Sequence, residues 1–260
     1  HLAVWCQLGG KRLTMNGLMT GHKDKAQGKI AFSLMVVVQN ALSHAWQILL
    51  QEVEKGQFSI CESHEDEITE KLYMILCEVQ ARDPEVVKGL SGFETPAREA
   101  NLRNYRGDKL DCQPDLTFRP PRARITTSNT AITGIFVECK PIDSQHSIGS
   151  TYCKAGISRF ICGDYAWAVD RAMMLGYVRN ICHLPDGLSF VLSQPKAKTD
   201  YQVKALPTMA GRASAGEEVY YSQHGRCMPG MYLVGKAPSI TLHHLWLYPE
   251  QPCENSKCKV

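Results

Sequence analysis

No sign of charge dominates this chain: 29 Lys and Arg stand against 26 Asp and Glu, a formal net charge of +3 over 260 residues. An excess this small excludes reading a nucleic-acid or membrane partner from bulk charge, because that inference needs a concentrated basic surface. No CxxC pair occurs among the 11 cysteines, so a zinc ribbon is not expected. Their odd number, and the lack of a secretory signal ahead of them, argue against a disulfide framework. We expect free thiols in a reducing cytoplasm. Cys253 and Cys258 are included, since their spacing to His243 and His244 fits no common metal pattern. Internal repeats and low-complexity tracts are absent as well.

What is present is ordinary for a globular protein: 44% hydrophobic and 21% charged residues, which excludes a disordered or fibrous chain. The length suits one main domain. The stretch from Ile30 to Gln51 carries no charge and is long enough to span a bilayer. However, Asn40, Ser43, His44, Gln47 and Gln51 recur at helical spacing, opposite Val37, Val38, Ala41, Leu42, Ala45 and Leu49. That pattern predicts an amphipathic core helix and no membrane partner.

Residues 1–34 are expected to be a loose arm or an upstream remnant, with Met15, Met19 and Met35 as candidate natural starts. Residues 35–260 form a single domain whose core spans about 63–193. A second helix starts near Ser63, with acids in its first turn and a buried stripe of Ile68, Leu72, Ile75, Leu76 and Val79 ended by Pro84. Residues 89–110 look irregular and are expected to fold over a substrate groove. CQPDLTF then alternates as a half-buried strand, and ITGIFVECK reads as a central strand ending at Glu138, Cys139 and Lys140. Helices are expected over about Ser150–Phe160, and from Asp164 with Ala166, Val169, Met173 and Tyr177 on one face. Strands are expected at Gly187–Ser193, Met231–Gly235 and Ile240–Tyr248. The fold class is α/β, a central mixed β-sheet flanked by helices.

Glu138 and Lys140 are two apart on a strand, so their side chains leave the same face while Cys139 points into the core. If the strand bearing Asp115 pairs with this one, Asp115 and Glu138 come within metal-bridging distance. With the Cys139 carbonyl they form a hard oxygen site for Mg2+, with Mn2+ as a substitute. A divalent ion there activates water and neutralises charge, and Lys140 stabilises the transition state electrostatically. Glu67, or failing it Glu70, is the helix acid that would complete the shell. Arg119, Arg122 and Arg124 close a basic stretch that begins at Arg98 and contains Arg103, Arg106 and Lys109. These three arginines, with Gln145 and His146 just after the strand, are the candidate substrate contacts.

Pro114 and Asp115, then residues 116 to 137, which number 22, then Glu138, Cys139 and Lys140 resemble the signature of the PD-(D/E)XK nuclease superfamily. The resemblance covers roughly Ser63 to Tyr177. It implies a restriction-endonuclease-like core, in which an acid-bearing helix precedes a hairpin with the signature, a helix packs behind it, and a further strand follows. It also implies Mg2+-dependent hydrolysis of nucleic acid, DNA before RNA, in settings such as restriction or defence against foreign DNA. Implied partners are a second copy of the chain or an ATPase or helicase subunit. Two rivals stand beside this reading. One is the same fold as a binding or assembly module without catalysis. The other is a cysteine hydrolase pairing a thiol with His146, His183 or His244, for which no nucleophile signature appears.

Overall fold

The computed structural model describes residues 27–121, 125, 132–181, 183–228 and 238–257. Most of the expected arm, Arg122 and Arg124, the segment Met231–Gly235 and Cys258 lie outside the described residues. Helix α1 (Phe32–Glu54) is the one described helix long and apolar enough to cross a bilayer, yet 61% of its most apolar window is buried in protein. The expected polar face is only partly exposed. Ser43 of that face is buried and donates to Glu217 at 2.6 Å; Gln39, outside that face, is also buried and bonds His243 at 2.9 Å. Thus α1 is a core helix clasped on both sides.

Helix α2 (Glu65–Arg82) buries Ile68, Leu72, Ile75 and Leu76 as its periodicity predicts, with Val79 half-buried. Its start is fixed by a reciprocal capping box between His64 and Glu67, the Glu67 carboxylate accepting from the His64 N–H at 2.7 Å. Two 3-10 turns, Pro84–Val86 and Leu90–Gly92, lead to the sheet. Strands β1 (Ala97–Arg98), β2 (Leu116–Phe118) and β3 (Ile135–Ile142) form an antiparallel meander. A π-helix (Ile148–Ile157) running into α3 (Ser158–Cys162) then crosses to β4 (Arg171–Val178), which pairs parallel to β3. Gly163 ends α3 in the left-handed conformation, at φ 73°.

The short strand β5 (Asn180–Ile181) follows, then α4 (Leu184–Ser193), α5 (Pro195–Asp200), β6 (Val203–Arg212), β7 (Glu218–His224), β8 (Ile240–Leu247) and β9 (Glu254–Lys257). Seven strands form one mixed sheet in the order β1-β2-β3-β4-β8-β7-β6, with β3, β4 and β8 parallel at its centre, and β5 pairs with β9 apart from it. The π-helix covers the face bearing Glu138, Lys140 and Met174; α1 and α2 cover the other, where Trp46 stacks on Tyr177 and Thr69 bonds its hydroxyl.

Several expectations fail here for identifiable reasons. The helix expected from Asp164 is instead a loop and then β4; a strand buried on both faces is a continuous apolar run, which fits a helical period equally well. The strand expected at Gly187–Ser193 is helix α4. Its buried residues Leu184, Leu188, Val191 and Leu192 follow helical spacing, and Pro185 sits in its first turn. β2 is buried throughout rather than half-buried, and β3 continues two residues past Lys140. The thiols are not all free, since Cys61 and Cys253 form a disulfide with their Cα atoms 5.3 Å apart.

Gly176 on β4 allows close approach of its neighbours. A Cβ there would lie 2.7 Å from Cδ1 of Trp246 and 3.1 Å from Cδ1 of Ile142, both buried. Gly176→Ala should therefore destabilise the fold by about 1–3 kcal/mol through overpacking, despite alanine's better backbone entropy. Equilibrium denaturation checks it, and an unchanged midpoint would mean that the Trp246 side yields without strain.

Candidate metal centre

The site exists because β2 stops pairing before β3 does. Their antiparallel register runs Phe118↔Ile135, Thr117↔Phe136 and Leu116↔Val137, which brings Asp115 opposite Glu138 one step further on. Asp115 has left the ladder there, and its carboxylate takes over the missing bond, accepting from the Cys139 N–H at 2.6 Å. Glu138 and Lys140 emerge from one face of β3 as the two-residue alternation requires. Cys139 points to the other face, fully buried beside Tyr177.

Lys140 is the hub of the cluster. Its Nζ lies 2.6 Å from Glu65 Oε1, 3.1 Å from Glu138 Oε1 and 3.8 Å from Asp115 Oδ2, and it donates to the Cys139 carbonyl at 2.6 Å. Besides Glu65, two further residues missing from the expected set complete it. Arg159 on α3 places Nε 3.4 Å from Glu138 Oε1, and the buried Tyr165 hydroxyl donates to Glu138 Oε2. The acid from α2 is Glu65, not Glu67 or Glu70. Glu67 is committed to the helix cap, and Glu70 pairs with Arg98 at 3.4 Å.

Electrostatics follow from depth. Burial first, then the Asp115 carboxylate, push the Glu138 carboxyl up to about 7, against the pull of Lys140, Arg159 and Tyr165. Burial also raises Asp115 and Glu65, which Lys140 partly offsets. For Lys140 itself burial works to lower the pKa, but Glu138, Asp115 and Glu65 outweigh it and hold the ammonium above its ordinary range. Tyr165 is raised well above the phenolic range by burial and by Glu138, so it stays protonated and donates.

Three carboxylates thus face two cations, and one negative charge is left over in a buried place. Among the described residues no group of three His, Cys, Asp or Glu side chains is arranged to hold a metal ion as it stands, because the Lys140 ammonium lies between the acids. In kind and in charge, however, carboxylate and carbonyl oxygens with an uncompensated negative charge suit a hard divalent cation. Burial first and the Asp115 carboxylate second raise Glu138, so a cation bound beside the two acids would favour its ionised form.

The other expected contacts spread out. Arg119 follows the end of β2 and is half-buried. In the turn after β3, Gln145 and His146 both donate backbone N–H groups to Asp143, at 2.9 and 2.8 Å. His146 also lines a cleft of about 300 Å3 with His64, Glu65, Asp66, Pro141 and Arg179, so it shares a wall with the acid cluster. Of the basic stretch, Arg98 pairs with Glu70 and Glu99, and Lys109 with Asp164. The cysteine-hydrolase alternative loses support. Cys112, Cys139 and Cys153 are buried thiols pushed up by burial, and His244 is buried between Tyr152 and Ser222.

Glu65, Arg159 and Tyr165 went unnoticed in the sequence for different reasons. Glu65 is one of three acids in a first turn, where helix-dipole stabilisation explains all of them equally. Arg159 and Tyr165 reach Glu138 only through the crossover, and no spacing along the chain announces that. The chain matches no protein family, no curated protein and no solved structure.

Proposed function

We propose that this chain is a metal-dependent nuclease with a restriction-endonuclease-like core, hydrolysing phosphodiester bonds of nucleic acid, with DNA as the expected substrate. The observation that carries the reading is the meeting of Glu65, Asp115 and Glu138, from the start of α2, the residue before β2 and the middle of β3, around Lys140. The order of elements supports it too. An acid-bearing helix, an antiparallel meander, a helical crossover and a parallel fourth strand make up the arrangement that the signature implies. Restriction or defence against foreign DNA is the setting implied by the same resemblance.

Asp115, Glu138 and the Cys139 carbonyl would hold Mg2+ or Mn2+, with Glu65 as the helix acid. Such an ion, when bound, supplies an activated water and neutralises charge on the phosphate. The chain's own residues set the stage. Tyr165 anchors one oxygen of Glu138, the Cys139 N–H orients Asp115, and Lys140 supplies fixed positive charge in a site from which water is largely excluded. One observation favours a second reading as a non-catalytic nucleic-acid-binding module: the Lys140 ammonium already sits among the acids and occupies the Cys139 carbonyl.

A plasmid nicking and cleavage assay with Mg2+, Mn2+ or EDTA separates the two. Cleavage should require the metal and fall at least about 100-fold in Asp115→Asn, which removes an anionic ligand but keeps an oxygen for the Cys139 N–H. Independently of activity, Mg2+ should raise the melting temperature of the wild type at pH 8, but not that of Asp115→Asn, since only a bound ligand stabilises the native state. Metal-dependent cutting that persists in both Asp115→Asn and Lys140→Ala would show that the reaction runs elsewhere.

A further inference from the structure

We propose that Arg159 is the substrate-contacting cation of this site, binding a phosphate oxygen of the nucleic acid. The inference rests on the nuclease reading and names the group through which that site meets its substrate. Two cations touch the acids, and their situations differ. Lys140 has three N–H donors, and four oxygen groups crowd its ammonium: Glu65, the Cys139 carbonyl, Glu138 and Asp115. Its side chain is 10% exposed. It is consumed inside the protein, holding the acids together, and has little to offer an incoming phosphate.

Arg159 stands at the rim of the same cluster with its side chain 43% exposed. Its Nε lies 3.1 Å from the Ala155 carbonyl and 3.4 Å from Glu138 Oε1, and it also bonds Tyr165. These contacts aim the guanidinium from a helix and, among the described residues, leave its five-donor fork more donors than partners. Arg is the side chain whose planar fork matches two phosphate oxygens at once. The neighbouring acid after the helix end, Asp164, lies 3.5 Å from Lys109. Of the two cations Arg159 is the more exposed, 43% against 10% for Lys140, so a phosphate approaching the acids from solvent has the guanidinium as its partner, with Glu138 3.4 Å behind it.

The test measures binding and cleavage separately. Affinity for a fluorescein-labelled 20-base-pair duplex, and for one of its strands, is measured in EDTA for wild type, Arg159→Lys and Arg159→Ala; cleavage is then followed with Mg2+. We expect affinity about 10-fold weaker in Arg159→Ala and an intermediate loss in Arg159→Lys, which keeps the charge but not the fork. Cleavage should fall by about 100-fold in Arg159→Ala and return in part when ethylguanidinium is added, a rescue that a merely structural arginine would not show. Equal affinity, and turnover within about threefold of wild type, in a folded Arg159→Ala would overturn the proposal. If that happens while Asp115→Asn is dead, Arg159 alone was misassigned. If the wild type neither binds nor cuts either substrate, the nuclease reading falls with it.

Discussion

Lys140→Ala should lose, at pH 8, about 3–5 kcal/mol of folding stability, the cost of stripping the partner from a buried charge, and on the proposed nuclease reading it should also lose metal-dependent cleavage by about 100- to 1000-fold. The reason is the arrangement around Nζ. Removing it leaves Glu65, Asp115 and Glu138, previously 2.6, 3.8 and 3.1 Å from one ammonium, to face each other with Arg159 as the one cation beside them among the described residues. The Cys139 carbonyl also loses its 2.6 Å donor. Lys140→Met, which restores the packing volume without the charge, should be nearly as unstable, because the electrostatic loss outweighs the cavity. The damage should shrink at pH 5, where Glu138, raised to about 7, takes up a proton and the repulsion falls. Urea denaturation at both pH values, followed by circular dichroism, measures it. A Lys140→Ala protein as stable as the wild type at pH 8 would mean that the acids never needed the ammonium.

The parts of this site visible in the sequence are those governed by strict local periodicity. Two-residue alternation puts Glu138 and Lys140 on one face of β3 and Cys139 on the other, and an apolar run beside them marks a central strand. The antiparallel partner for Asp115 follows from having two strands with a connection between them. What could not be read depends on tertiary choice. β4 and α4 are both short apolar segments, and whether each becomes a strand or a helix is decided by what covers it, namely two faces of neighbours for β4 and one for α4. Strand β6 carries Pro207 and Gly211, which argue against a strand interior; it is tolerated as the sheet's edge, with register shifts along its pairing to β7. The Cys61–Cys253 disulfide joins residues 192 apart, and no count of cysteines could select that pair.

Glu138→Gln should be more stable than the wild type at pH 8 by about 2–3 kcal/mol, with the gain gone by pH 5. Glu138 is raised from 4.5 to about 7, so the folded protein holds this proton more tightly than the unfolded chain. Stability from such a group is fully present below pH 4.5 and is lost as the pH rises through 7. Ionising this carboxyl in the folded protein costs roughly 3 kcal/mol at pH 8, less whatever the neutral amide forfeits in contacts to Lys140 and Arg159. The buried histidines work in the opposite sense. His224 and His243 are each lowered from 6.5 to about 4, mainly by burial, and His244 lies lower still. Their contribution is present above pH 6.5 and is lost as the pH falls towards 4. At pH 5 the first two alone remove about 4 kcal/mol, roughly 2 each.

In the wild type these slopes partly cancel between pH 8 and pH 6, whereas Glu138→Gln, which lacks the Glu138 gain, should decline over that range as these histidines take up protons in the unfolded chain. Urea denaturation of both proteins at pH 8, 6.5 and 5 separates the curves. A Glu138→Gln protein less stable than wild type at pH 8 would show that the ionised carboxylate is well compensated and that the cluster lacks the spare negative charge a metal ion would answer. The opposite result would mark Glu138 as a residue that destabilises the fold at the pH where it is ionised, as expected of a group kept for its chemistry rather than for folding.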